Sequence, residues 1–324
     1  MKRNIQIILF LLLINLSFTS KVSAQIAIDN IEELSKIKGG TTYVAMKDPN
    51  AEKSKEYVEI FKNNWTYTKL EFIKYTDITK YIAPGNSFLT LSGYVTDVQM
   101  MSLYNNGIRP GIDYSHTHIF LQLWTVDDNY FKKNKEFNDK DRIQIARLEL
   151  YTDFETIVRP SNLYQNDYDA DNHIRNWGPG ILKNHIQNLN TYLNTGKKKS
   201  LFSDILNEKE IKKLASETLY IPDYILVKFN KFTGDESAKL KEEELLEDYK
   251  FKYKMLSTKE LNDKILSDTK GFYYLQYIKS STNKYISVIN SLTGEIIYSI
   301  YVPVSYNLKS DDLKDLSKII QKIN

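Results

Sequence analysis

The sequence predicts an α/β (α+β) protein made of two tandem similar modules, each a mixed β-sheet with helices mainly on one face. Three observations predict this. The element order βαβαβββα runs twice along the chain, residues at corresponding places match, and the segments show side-chain periods of 2 and 3.6. The 324 residues are enough for two ordinary domains, each able to bury a core.

In the first copy the pattern predicts a strand over 41–46, a helix over 52–63, a strand over 69–75 and a short helix over 77–82. Strands over 87–95, 116–126 and 142–151 follow, then a helix over 182–193. The second copy predicts a strand over 224–229, a helix over 239–249, a strand over 251–256 and a helix over 259–267. Strands over 272–278, 284–290 and 295–301 then precede a helix over 311–323. Within 52–63, Tyr57, Ile60 and Phe61 recur at helical spacing, while Lys53, Lys55, Glu59 and Lys62 lie on the wet face. In 116–126, Ile119, Leu121 and Leu123 share one strand face, and His116, His118, Phe120, Gln122 and Trp124 share the other. Helix 259–267 opens at Thr258 as N-cap and turns Leu261, Ile265 and Leu266 inward. Gly294, in Ser291-Leu292-Thr293-Gly294-Glu295, supplies the positive backbone angle of a short hairpin.

Residues agree as well as order. Leu70-Glu71-Phe72 matches Phe251-Lys252-Tyr253, and Asn86–Leu91 matches Lys270–Leu275. The lead-in 31–34 before Thr42-Tyr43-Val44 matches 211–214 before Leu219-Tyr220-Ile221. The expected boundaries are a first module over 25–196, with insertions at 97–115 and 127–141, a linker over 197–210, and a second module over 211–324. The lysine run Lys197-Lys198-Lys199 reads as a solvated hinge.

Lys2-Arg3, an apolar run over 5–18 and Val22-Ser23-Ala24 form a cleavable export signal over 1–24, cut after Ala24. The apolar run is shorter than the roughly 20 residues of a spanning helix. The expected address is therefore periplasmic or secreted, with no membrane insertion after cleavage. Lys2, Arg3 and Lys21 account for the whole formal charge of +3, so the remainder is neutral and no nucleic-acid partner is expected. The absence of cysteine excludes disulfides, thiolate metal sites and thiol nucleophiles.

The stretch Thr258–Leu261, then Gly271–Ile278, Tyr285–Asn290 and Thr293–Ser299 resembles the end of the TolB amino-terminal domain, which is shared by CsgG-like periplasmic domains. In those domains a strand–helix–strand–helix start leads into three antiparallel strands, the last hairpin often carrying Thr-Gly-Glu. The resemblance covers about 80 residues of the second copy, and reaches the first through the internal match. It implies an envelope interaction module. Propeller and pore functions do not carry over, because no propeller, lipid-modified cysteine or membrane-inserting hairpin run accompanies it.

Two spacings suggest metal chemistry. His116-Thr117-His118 puts two imidazoles on one strand face, leaving a third ligand to come from elsewhere, His173 or His185. Asp167, Asp169 and Asp171 alternate as in a calcium loop, but Gly178 stands where the bidentate Glu belongs, so a solvated acidic turn is the simpler reading. No cofactor is expected. The 24 Tyr suggest sugar stacking, although Ile, Asn and Lys are also abundant and share AT-rich codons with Tyr. Phe120, Trp124, Tyr164 and Trp177 are the expected interaction surface, and Tyr94, Tyr104 and Tyr168 extend the aromatic set. Hydrolase, zinc-protease, phosphate-loop and dinucleotide motifs are absent from the sequence. The expected function is non-catalytic interaction or scaffolding with an envelope protein, with self-association through strand edges as a further expectation. The alternative is a secreted glycan-binding or glycan-hydrolysing protein using the aromatic and acidic insertions.

Overall fold

The computed structural model describes residues 25–324 except 100, 105–106, 111–112 and 134–135; the side chains of 101–112, 162, 164 and 171 are likewise not described. The export signal lies outside these residues. Among the described residues no helix is long and apolar enough to cross a membrane.

The first half contains β1 (Ile26–Ile28), α1 (Glu33–Ile37), β2 (Thr41–Met46), α2 (Lys55–Asn64), β3 (Lys69–Lys74) and a 3₁₀ turn at Tyr75–Tyr81. It continues through β4 (Ser87–Val98), the ribbon β5 (Met101–Tyr104) and β6 (Gly107–Pro110), β7 (Tyr114–Val126) and α3 (Asp128–Phe131). It ends with β8 (Arg142–Glu149), α4 (Phe154–Val158) and α5 (Pro179–Thr195). The second half contains β9 (Ile205–Leu206), α6 (Glu208–Ile211), β10 (Leu219–Pro222), α7 (Glu242–Leu246), β11 (Tyr253–Leu256) and α8 (Thr258–Ser267). Strands β12 (Tyr273–Ser280), β13 (Asn283–Asn290) and β14 (Ile296–Val302) then lead to α9 (Ser310–Ile323).

The halves make two six-stranded sheets of one design. Sheet 1 has the order β1-β8-β7-β4-β2-β3, and sheet 2 the order β11-β10-β12-β13-β14-β9. In each, the first long strand pairs in parallel with its two neighbours, and the remaining pairings are antiparallel. Even an irregularity is repeated. Leu89 faces Leu123 and Leu275 faces Val288, and in each sheet the register on the outer side shifts after that residue.

Several local expectations shift. The apolar run at 224–229 is not a strand; Asp223–Leu226 is a 3₁₀ turn, and β10 occupies Leu219–Pro222. Tyr224 and Ile225 enter the second core without pairing, and Pro222 ends the strand, lacking the N–H that would continue it. The N-cap of α8 is Ser257, not Thr258: its hydroxyl accepts the Glu260 N–H while the Glu260 carboxylate takes the Ser257 N–H. The segment 197–210 is more than a linker, since it contributes β9 to sheet 2, and Lys199 exchanges backbone hydrogen bonds with Ile28 of β1.

The sheets stack through a shared helical layer. The aliphatic face of sheet 1 (Val44, Leu89, Leu121) packs on α2 and α5, and the same cluster continues into Leu261 and Ile265 of α8 and Phe272, Tyr274 and Ile289 of sheet 2. The opposite face of sheet 2 (Leu219, Leu275, Val288) packs on Leu313, Leu316 and Ile320 of α9. Helix α5 is therefore buried on most sides, which explains its polar residues. The Asn184 side chain donates to the Ser291 carbonyl at 2.8 Å and accepts from the Tyr274 hydroxyl at 3.2 Å. Asn190 joins the Asn64 carbonyl (2.6 Å) to the Thr66 N–H (3.2 Å). Asn262 of α8 accepts the Ile181 N–H at 2.9 Å and so caps α5 from the other module.

Candidate functional site

The mixed face of sheet 1 carries the residues expected to meet a partner, and the chain covers it itself. Trp124 is 0% exposed and Phe120 4%. Trp124 lies between Phe88 (4.6 Å between centroids) and Phe137 of the 127–141 insertion (5.8 Å), with the Arg142 guanidinium 4.4 Å from its ring. Its indole N–H donates to Thr90 at 3.0 Å. The Arg147 guanidinium covers Phe120 at 4.1 Å and Tyr94 at 4.8 Å. Trp177, 3% exposed, stacks near Tyr57 and donates to the Tyr168 carbonyl. These three rings are interior packing, so an interaction surface built from them is corrected; their apolar area is already used by insertion, arginine and helix. The side chains of Tyr164, Asp171 and Tyr104 lie outside the described residues.

The metal spacings resolve into hydrogen bonds and ion pairs. His116 and His118 are neighbours, with centroids 4.7 Å apart, but they are turned to the sister module. His116 Nε2 accepts the Ser281 N–H at 2.9 Å. His118 sits between the Ser280 hydroxyl and the Thr96 hydroxyl, each at 3.1 Å. Burial lowers both rings, His116 to about 3 and His118 to about 4, with Lys279 and Arg147 adding repulsion. His173 pairs with Asp153 at 2.7 Å, and His185 faces the Asn176 carbonyl, so neither joins the pair. Asp167 is met by Lys47 at 3.4 Å and Lys53 at 3.3 Å, and Lys53 also reaches Asp169 at 3.3 Å. Among the described residues no group of three or more His, Asp or Glu is arranged to hold a metal.

The seam between the modules carries several buried charges. The Glu149 carboxyl is buried, which pushes its pKa up, opposed by its ion pair with Arg147 and by the Ser280 hydroxyl at 3.2 Å. Gln25 donates to Gln276 at 3.0 Å. Lys279, from β12, lies 3.4 Å from the Phe229 ring centroid and 3.1 Å from Glu236, which also holds Arg175 at 2.8 Å and the Phe154 N–H at 3.0 Å. Burial lowers Lys279 to about 8, against the pull of Glu236. Its side chain is closed to solvent, so this lysine is positioned for packing and charge balance, not for attack on a ligand.

Beside the seam a cleft of about 430 Å³ opens between the modules. Tyr57 from α2, Trp177 before α5 and Tyr224 after β10, each almost wholly buried, show only their rims to it, and Asp169, Asp223 and Glu236 supply its carboxylates. Each carboxylate is engaged: Asp169 with Lys53, Asp223 with the Thr258 N–H at 3.2 Å, and Glu236 as above. The arrangement can orient a polar ligand. Sequence reasoning missed this cleft because its walls come from five separate stretches of chain with no common spacing. No family model, no curated protein and no solved structure matches the chain.

Proposed function

We propose that this chain is a non-catalytic binding protein of the bacterial envelope that holds another envelope protein against its joined modules. The observation that carries this reading is that Asp169 and Glu236 of the cleft are paired with the chain's own cations and Asp223 accepts an amide N–H, an arrangement suited to holding a ligand. The export signal and the element order shared with TolB amino-terminal and CsgG-like domains support the address and the partner class. With the mixed face covered, the contact surface moves to the β4–β7 hairpin, where Tyr94 is 43% and Val95 57% exposed, and to Phe202, 52% exposed, which meets Tyr301 of β14 at 5.1 Å. Pairing of two copies along β3 is disfavoured by exposed Lys69 and Lys74 at that edge.

The test is in-cell photo-crosslinking from positions 95 and 202, with position 266 on α8 as control, followed by mass spectrometry. The expected result is one envelope protein captured from both former positions and not from the third. No capture, together with measurable polysaccharide binding, overturns it. That outcome favours a glycan reading, for which the aromatic-lined cleft is the specific observation. Calorimetric titration with soluble oligosaccharides against the parent and Lys239→Ala, a change in the wall of that cleft, then locates the sugar.

A further inference from the structure

A cavity of about 550 Å³ lies in the second module, beside the Lys279 end of the seam. One wall is the loop after the 3₁₀ turn, with Phe229, Lys231 and Phe232; the other is the segment between β14 and α9, with Val304, Ser305 and Tyr306. The walls are stapled together by Asn307, which accepts the Phe229 N–H at 2.8 Å and donates to the Phe229 carbonyl at 3.0 Å. Lys279 presses on Phe229 from behind at 3.4 Å, so the floor is fixed before any ligand arrives.

Three features of this cavity are unexplained by packing. Lys228, Lys231 and Lys309 all line it, and among the described residues none makes an ion pair, while the one lining carboxylate, Asp235, is taken by the Ser237 N–H and hydroxyl at 2.8 Å each. Lys231 lies 5.0 Å from the Phe232 ring centroid and 5.2 Å from that of Tyr306, a cation held on aromatic faces. Ser305 is buried with an unpartnered hydroxyl, and next to it Val304 has φ +54° while 78% exposed. A β-branched residue in the left-handed region is strained, and such strain persists where the surroundings enforce it, often at ligand sites.

We propose that this cavity binds a small amphipathic anion, its apolar body against Phe229, Phe232 and Val304 and its carboxylate, sulfonate or phosphate among Lys228, Lys231 and Lys309. The volume lies within the range of small-molecule sites, and the lining combines apolar walls with three lysines and one carboxylate, Asp235, already engaged by Ser237. The site is independent of the partner surface proposed above.

The test uses the full chain after signal removal and two dyes that share an apolar body, anilinonaphthalene sulfonate and the uncharged N-phenyl-1-naphthylamine. The expected result is saturable one-to-one binding of the sulfonate, about tenfold weaker for the uncharged dye, and weakened about tenfold by Lys231→Ala with Lys309→Ala. Lys231→Gln with Lys309→Gln keeps the stems and serves as the second variant, with circular dichroism reporting the fold. Lys239→Ala, in the other cleft, is expected to bind as the parent does. Soluble octanoate is expected to displace the dye. Equal binding of the two dyes, unchanged binding in both lysine variants, or displacement by phosphatidylglycerol vesicles but not by octanoate overturns the proposal.

Discussion

The two sheets follow one path and differ in what covers them. Sheet 2 has helices against both faces, its own α9 on one side and α8 with the sister module's α5 on the other. Sheet 1 has its long helices, α2 and α5, on its aliphatic face. Its mixed face is closed by the 3₁₀ turn at Tyr75–Tyr81, the 127–141 insertion and arginines laid over aromatic rings. The loops diverge in step. Between β13 and β14 the chain turns within Ser291–Glu295, whereas between β7 and β8 it makes the long excursion that buries Trp124. A duplicated sheet thus conserves its ladder and its bulge, while loops decide which side meets water, the sister or the chain itself.

The largest expected effect comes from removing the ring on which the sheet 1 solution rests. Trp124→Ala should cost about 3–5 kcal/mol, because it empties a site shared by Phe88, Phe137 and Arg142. Urea unfolding measures this, and a loss below about 1 kcal/mol shows that the insertion packs independently of the ring. A smaller cost is expected for Gly294→Ala in the short turn of the other copy. Gly294 has φ +72°, and an added Cβ would lie 2.4 Å from the Asn184 carbonyl oxygen of α5. The expected loss is about 1–3 kcal/mol. Because the clash joins one module's turn to the other's helix, calorimetry should show one transition moving as a whole; a second, separate transition breaks the idea of a joint core.

The smallest effect is pH-dependent and belongs to the seam. His116 and His118 are held neutral in the fold, with pKa values below their ordinary 6.5, so the unfolded chain binds protons that the folded one refuses. Stability from these rings is present above pH 6.5 and is lost as pH falls toward 4. Replacing both with Asn should flatten that acid limb relative to the parent, read from melting temperatures between pH 7 and 4. An unchanged slope removes the histidines from the seam's pH response.

Much of this was legible in the chain because alternation and helical spacing are local. The faces of 116–126, the strand at 41–46 and the glycine turn at 294 follow from residues a few positions apart. The internal match slipped by two residues in one place: Leu91 was aligned with Leu275, where the shared register irregularity pairs Leu275 with Leu89. Since side chains alternate with period two, the slip left every residue on its proper face. The strand expected at 224–229 failed because Tyr, Ile, Leu and Val suit a buried 3₁₀ turn as well as a ladder. Burial of Phe120 and Trp124 was not legible, since it depends on Phe137 and Arg147 arriving from other elements. The contacts of His118 with Ser280 and of Glu149 with Ser280 join residues more than a hundred positions apart, and no pattern along the chain announces them.

Helix α5 has one further implication. A rod that serves as floor to one sheet and ceiling to the next ties the halves together: cutting the chain at residues 197–210 would uncover Tyr274 and leave Asn184 and the capped end of the rod without their counterparts. Two sheets of one design here share one core.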